Sequence, residues 1–254
     1  VTTFRGRGDE VRVHPLSFVE YLSVQQPLPF AEQHLNEYMR LGGLPQLVVM
    51  NSEQQKRQYL SQLFANTYLV DIKERYAIRN DDDLEELIDV IASSIGSLTN
   101  PTKIANSFAS VKQSQLSKDT IKRYLDYMQD AFMIEKAVRY DIKGRKYIDT
   151  PAKYYFEDLG LRNARINFRQ TEPTHLMENL IYNELRVKGY SIDVGQVVTN
   201  TRNANGVSER KQLEVDFVCN KADERIYIQS AYTMPTLEKH FLGNLVVQSE
   251  GFFN

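Results

Sequence analysis

The stretch Leu213-Glu-Val-Asp-Phe217 limits this chain most tightly, because its apolar and acidic residues alternate one for one. Successive side chains of a strand point to opposite faces, so a strand here buries one face and turns Glu214 and Asp216 to the other. A polar turn at 220–224 and a strand pattern at 225–232 follow. They bring Gln229-Ser230-Ala231 alongside Asp216, unless the register slips by one residue and separates Asp216 from Gln229. A helix pattern at 175–188 precedes this hairpin, with Thr174 as its expected cap, Gly189 as its stop and Glu178 near its start. Residues 190–198 read as another strand, and the polar, glycine-containing stretch 199–210 reads as a loop.

The preceding part of the chain is organised differently. Residues 1–13 have strand or hairpin character around Gly6-Arg-Gly-Asp9, and Pro15 or Ser17 can open a short helix carrying Phe18, Tyr21 and Leu22. Helical spacing over 32–41 closes on Gly42-Gly43, and a second helix is expected over 52–68. Residues 80–100 then hold six acidic residues and no basic ones, whereas 111–147 carry nine basic and five acidic residues. Helices are expected at 83–95, at 101–110 behind Asn100 and Pro101, and at 118–131 behind Ser117. Strand patterns at 133–140 and 146–156 flank a turn at Gly144. Three helices and a two-stranded wing follow the winged-helix order. In such a unit Lys118, Lys122 and Arg123 on the third helix can enter a major groove of double-stranded DNA, while Lys143, Arg145 and Lys146 on the wing meet phosphates. Asp119, Asp126 and Asp130 dilute that field, so a helix face that docks protein is the alternative.

Several function classes are excluded at this level. The net charge is −2, so any nucleic-acid surface is a local patch rather than a polybasic property of the whole chain. Cys219 is the sole cysteine, which rules out an internal disulfide and a multi-cysteine zinc site, and the four histidines lack metal-ligand spacing. No apolar run approaches the ~20 residues of a membrane span, and no signal-peptide pattern opens the chain. A cytoplasmic chain with no membrane partner is expected. Neither a phosphate-cradling G-x-x-x-x-G-K-[ST] loop nor a dinucleotide G-x-G-x-x-G occurs, so no ATP hydrolysis is expected of these 254 residues alone.

Glu178 on a helix, Asp216 on a strand and Gln229-Ser-Ala231 on the next strand resemble the order of the PD-(D/E)XK nuclease site. There carboxylates hold Mg²⁺ and a lysine positions or activates the attacking water. In this sequence Gln229 stands for the third carboxylate and Ala231 for the lysine, so Glu178, Asp216 and Gln229 read as a vestigial catalytic set, with Glu178 and Asp216 the remaining metal candidates. The alternative is a Mg-dependent nuclease using a displaced lysine, Lys188 or Lys211.

Larger groups of residues extend the resemblance. Phe4-Arg-Gly-Arg7, Val13-His-Pro-Leu-Ser-Phe-Val-Glu-Tyr-Leu22 and Leu41-Gly-Gly-Leu-Pro45 look like the end of an AAA-type ATPase core and its helical lid. The runs from Asp119 to Met133 and Lys153-Tyr-Tyr-Phe-Glu-Asp-Leu-Gly-Leu-Arg-Asn163 look like its middle region. Met177-Glu-Asn-Leu-Ile-Tyr-Asn-Glu-Leu185, Glu214-Val-Asp-Phe217 and Tyr227-Ile-Gln-Ser-Ala231 look like its nuclease-like end. Together they resemble prokaryotic AAA-superfamily ATPases with a carboxyl-terminal domain of unassigned function. The resemblance implies an α/β multidomain chain: core end and lid over 1–79, winged helix over 80–165, and a PD-(D/E)XK-like domain over 166–254 that reads as truncated. It further implies an upstream ATPase domain of the same protein as partner, with ATP and Mg bound there and no cofactor in this part. Arg7 becomes a candidate nucleotide sensor, and the expected function is regulatory or DNA-binding without catalysis by this part. A protein-interaction platform is the remaining alternative, and the oligomeric state is left open.

Overall fold

Helix caps and glycine stops divide the amino-terminal part into short helices. A computed structural model describes residues 11–25, 31–79, 81–112, 116–169, 172–202, 208–230 and 245–249. Helix α1 (Phe18–Val24) starts at Ser17 rather than Pro15, because Ser17 and Glu20 cap each other's backbone N–H reciprocally. Helix α2 (Ala31–Leu41) ends at Gly42, whose φ of 78° is left-handed. A short α3 (Pro45–Val48) leads to α4 (Glu53–Leu63), which continues through a π-helical stretch (Phe64–Leu69) into α5 (Val70–Arg75). The single helix expected over 52–68 is therefore longer and wider in its middle. Bonding from i to i+5 sets Phe64 and Leu69 on one buried side.

The next three helices are α6 (Asp81–Ser93), α7 (Pro101–Ser107) and α8 (Lys118–Asp130), with Asn100 capping α7 and Ser117 capping α8 as the sequence indicates. Helix α9 (Leu159–Arg165) begins at Asp158. Helix α10 (Pro173–Val187) begins at Glu172, not Thr174, because Pro173 fits the first helical position, where no N–H is needed.

The strands are β1 (Ile134–Asp141), β2 (Lys146–Phe156), β3 (Ser191–Arg202), β4 (Ser208–Lys221), β5 (Glu224–Ser230) and β6 (Leu245–Ser249). They form one mixed sheet in the order β2-β1-β3-β4-β5-β6. Every neighbouring pair is antiparallel except β1 and β3, which run parallel through Arg139↔Val194, Tyr140↔Gly195 and Asp141↔Gln196. The hairpin β1–β2 is thus part of the sheet, which runs across the sequence boundary near 165. The stretch expected as a loop over 199–210 is strand at both ends, paired out to Arg202↔Ser208. Ladder pairing continued from the flanking strands outweighs its polar composition. The strand expected over 1–13, the sensor candidate Arg7 and Ala231 lie wholly or largely outside the described residues.

A bulge corrects the simple alternation over 213–217. Asp193 pairs with Val218 but Gly195 with Val215, so β4 spends one extra residue there. Leu213 is exposed, while Asp216, Phe217, Val218 and Cys219 are all buried. Gly195 is needed at this point, since a Cβ on it would lie 2.8 Å from the Val215 Cβ. One hydrophobic cluster runs from Phe18 through α6–α8, the sheet and α10 to Ile228.

Asp158 joins the helical part to the sheet. Its carboxylate accepts from Gly43 N (2.8 Å) and Leu161 N (2.9 Å), so it caps α9 and holds the Gly42-Gly43 turn at once. A Cβ on Gly42 would fall 2.3 Å from that carboxylate, and one on Gly160 only 1.9 Å from the Leu41 carbonyl oxygen. Gly42→Ala and Gly160→Ala are each expected to lower stability by about 1–3 kcal/mol or more in urea unfolding. Burial raises Asp158 from 3.8 to about 6 against its backbone N–H partners. The folded state then holds this proton more tightly than the unfolded chain, so this group's contribution falls as pH rises from about 4 through about 6. Unfolding midpoints across that window should be flatter in Asp158→Asn.

Candidate functional site

The sheet and α10 bring the expected acids together. Glu178 lies in the first half of α10 and is 7 % exposed; Asp216 lies in the β4 bulge and is 8 % exposed. The register Phe217↔Ile228 sets Gln229 on the same face as Asp216, without the slip that would part them. The Gln229 side-chain amide and the Ser230 backbone N–H both donate to Asp216 Oδ2 at 2.7 Å. Gln229 therefore faces Asp216 with a donor, where a glutamate would present another acceptor.

The lysine at these acids is Lys153 of β2, which carries no role in the sequence reading. Its Nζ lies 2.9 Å from Glu178 Oε1, 2.7 Å from Glu214 Oε1 and 4.0 Å from Asp216 Oδ1. Lys153 is 3 % exposed, and the hydroxyl of Tyr155, two residues on and on the same face of β2, donates to Glu178 Oε1 at 2.6 Å. Lys188 caps the carboxyl end of α10, ten residues (about 15 Å) beyond Glu178. Lys211 sits on β4 five residues (about 16 Å) before Asp216. The Lys188 and Lys211 backbone positions are therefore both remote from the acids along their own elements. The signal for Lys153 was present in Ala152-Lys-Tyr-Tyr-Phe156, since a lone charge in an otherwise apolar strand end requires a buried partner.

The electrostatics favour a charged cluster. Burial alone would lower the Lys153 ammonium, but the Glu178 and Glu214 carboxylates outweigh it and hold the group above its ordinary value. Burial raises Asp216 despite the Ser230 N–H, and it pushes Tyr155 far above the usual phenol range with Glu178 adding to the effect. The α6–α7 connection covers the cluster. Gly96, at φ 70°, would place a Cβ 3.3 Å from the Glu178 carboxylate, and Thr99 pairs with Ala152 on the outer edge of β2. Among the described residues no group of three or more His, Cys, Asp or Glu side chains is arranged to hold a metal ion.

The expected DNA-facing residues fall on two surfaces. Lys118 and Lys122 line a groove of about 940 Å³ between α7, α8 and the β1–β2 hairpin, together with Lys103, Lys136, Asp119 and Asp126. Arg123 is exposed beside them and donates to Thr120. Lys143, Arg145 and Lys146 sit exposed at the hairpin tip, about 16 Å along β1 from Lys136. Among the described residues, no helix is long and apolar enough to cross a membrane.

Known sequences give the chain a family context. Residues 32–172 match a family model described as a domain of unknown function, DUF8612. An uncharacterized protein of Haemophilus influenzae is 35% identical over 237 residues, covering 92% of this chain and 56% of that protein. The uncharacterized protein MJ1544 of Methanocaldococcus jannaschii is 26% identical over 248 residues, covering 94% and 53%. The chain spans about half the length of these relatives. No solved structure matches it.

Removing Lys153 leaves carboxylates buried without their cation, so Lys153→Ala should cost about 3–5 kcal/mol in urea unfolding. Lys153→Met combined with Glu178→Leu should recover part of that loss, because it removes the most buried carboxylate partner together with the cation while Glu214 and Asp216 remain. A double-mutant cycle with no coupling between the two positions would refute the ion-pair account.

Proposed function

The chain belongs to the DUF8612 family, and from the state of its buried cluster we propose that it is a regulatory, nucleic-acid-contacting part of an AAA-type ATPase whose nuclease-like site no longer catalyses. The observation that carries this reading is the position of Lys153. Its ammonium lies between Glu178, Glu214 and Asp216, in the space a bridging divalent cation would need. Phosphodiester hydrolysis requires a cation on the developing charge and a positioned water. Here Asp216 Oδ2 is engaged by Gln229 and Ser230, Gln229 adds no negative charge, and the Gly96 turn covers Glu178. In this reading the winged-helix arrangement of α6–α8 and the hairpin offers the groove with Lys118 and Lys122 to duplex phosphates. The PD-(D/E)XK-like layer of α10, β3, β4 and β5 is the rigid support behind it. The relatives' additional length leaves room for the ATPase core that the resemblance requires, with ATP and Mg²⁺ bound there.

A second reading rests on the same lysine. Lys153 stands within reach of both Glu178 and Asp216, as a displaced catalytic lysine would, and a Mg-dependent nuclease would use it to orient the attacking water. The two readings part in one assay. Wild type, Asp216→Ala and Lys153→Ala are incubated with single- and double-stranded DNA and RNA over a Mg²⁺ and Mn²⁺ series. No cleavage above background is expected of any of them. Cleavage by wild type that disappears in Asp216→Ala, with both proteins folded, overturns the non-catalytic reading in favour of the second.

A further inference from the structure

We infer that the β1–β2 tip is a contact site for single-stranded nucleic acid, with the Tyr147 ring as its stacking surface and Lys143, Arg145 and Lys146 as its phosphate partners. The inference rests on the nucleic-acid part of the proposed function and assigns it a site and a substrate class. Tyrosine in a sheet ordinarily buries its ring and leaves its hydroxyl wet. Tyr147 leaves its ring open: it is 66 % exposed, and the charge of Asp193, a β3 carboxylate only 5 % exposed, raises its phenol above the ordinary value. Across the hairpin its partner is Tyr140, with ring centroids 5.2 Å apart, and the Arg225 guanidinium lies over Tyr140 at 5.4 Å from its centroid. The ring is held on one side, against Tyr140, and the rest of it is open to solvent.

The turn that precedes that ring along the chain carries the cations. Asp141 is drawn into the turn by accepting from Gly144 N at 2.9 Å, and Arg145 takes a left-handed φ of 49°. Lys143, Arg145 and Lys146 are all exposed within four consecutive residues. An exposed aromatic face at the end of a turn rich in exposed cations suits a strand with unpaired bases, because every free base offers a π face while its phosphates meet the lysines and arginine. Paired bases in a duplex hide those faces. The tip is separate from the groove that holds Lys118 and Lys122, so the two surfaces can be tested independently.

The test is fluorescence anisotropy with labelled oligothymidylate, oligouridylate and a duplex of equal length. Single strands are expected to bind more tightly than duplex at the tip, with oligothymidylate and oligouridylate distinguishing DNA from RNA as the natural source. Tyr147→Ala should weaken single-strand binding by about ten-fold and leave duplex binding unchanged. Tyr147→Phe keeps the ring and should retain most of the affinity. Lys143→Glu with Arg145→Glu should flatten the salt dependence by roughly 1.4, at about 0.7 per phosphate contact. Circular dichroism confirms that each variant is folded. Wild-type affinity in Tyr147→Ala overturns the inference. Duplex preference lost only in Lys118→Glu with Lys122→Glu also overturns it, while leaving the proposed function standing. No binding to any oligonucleotide removes both.

Discussion

A buried ammonium among carboxylates is the contact on which the carboxyl-terminal half depends. Lys153 takes one positive charge into a place that only opposite charges make tolerable, and three different elements supply them or hold them in place. Glu178 comes from α10, Glu214 and Asp216 from β4, and the donors to Asp216 from β5. The helix is registered on the sheet by polar contacts beside this pair. Asn179 both donates to Phe156 O (2.8 Å) and accepts from Phe156 N (2.7 Å), and Asn183 donates to Phe156 O and Glu157 O. Apolar packing of Tyr155, Tyr182 and Phe217 supplies the bulk of the layer, but such packing tolerates sliding. Directional bonds at the end of β2 leave α10 one position, and that position sets Glu178 against Lys153.

Helix α9 does the equivalent work for the helical half. Arg162, 1 % exposed, donates to the Ala92 carbonyl at the end of α6 and to Asn163 Oδ1. Asn163 donates in turn to the carbonyls of Met39 and Arg40 at the end of α2. Arg165 forks onto Asp89 and reaches Glu85 of α6. Free carbonyls at helix ends are thus satisfied by side chains of a third helix, which fixes the angles between all three. Glu184 extends the link to α10 by accepting from Phe18 N at 2.6 Å. A displacement of α1 or α2 would have to break hydrogen bonds on α9 or α10, so these helices are tied to α9 and α10.

Much of this was legible because local chemistry and final packing agree. Ser17, Asn100, Ser117 and Gly189 mark helix ends where the structure places them, and the spacing of Leu84, Leu87, Ile88 and Ile91 identifies the buried face of α6. The acids Glu178 and Asp216 and their neighbour Gln229 were also legible, through the helix–strand–strand order of the resemblance, and the register Phe217↔Ile228 then sets Asp216 beside Gln229. What escaped the sequence is non-local. The β4 bulge depends on Gly195 opposite Val215, two positions twenty residues apart, and no periodicity reports it. The parallel pairing of β1 with β3 joins segments separated by α9 and α10, so the hairpin read as a wing of its own is one edge of a larger sheet. Lys153 belongs to the same class: its partners lie on other elements.

Gln229 and Lys153 are best understood together. A carboxylate at 229 would add a third or fourth negative charge around Asp216 and would remove the N–H that Asp216 Oδ2 now receives. Glutamine instead donates to Asp216 from one side while the ammonium stabilises Glu178 and Glu214 from the other. The pair divides the task that a divalent cation performs in a metal-dependent site, namely holding converging carboxylates against their mutual repulsion. It does so with groups that stay bonded to the chain, so the arrangement is complete when the protein folds. A site of that kind ties α10, β2 and β4 to one another through its charges.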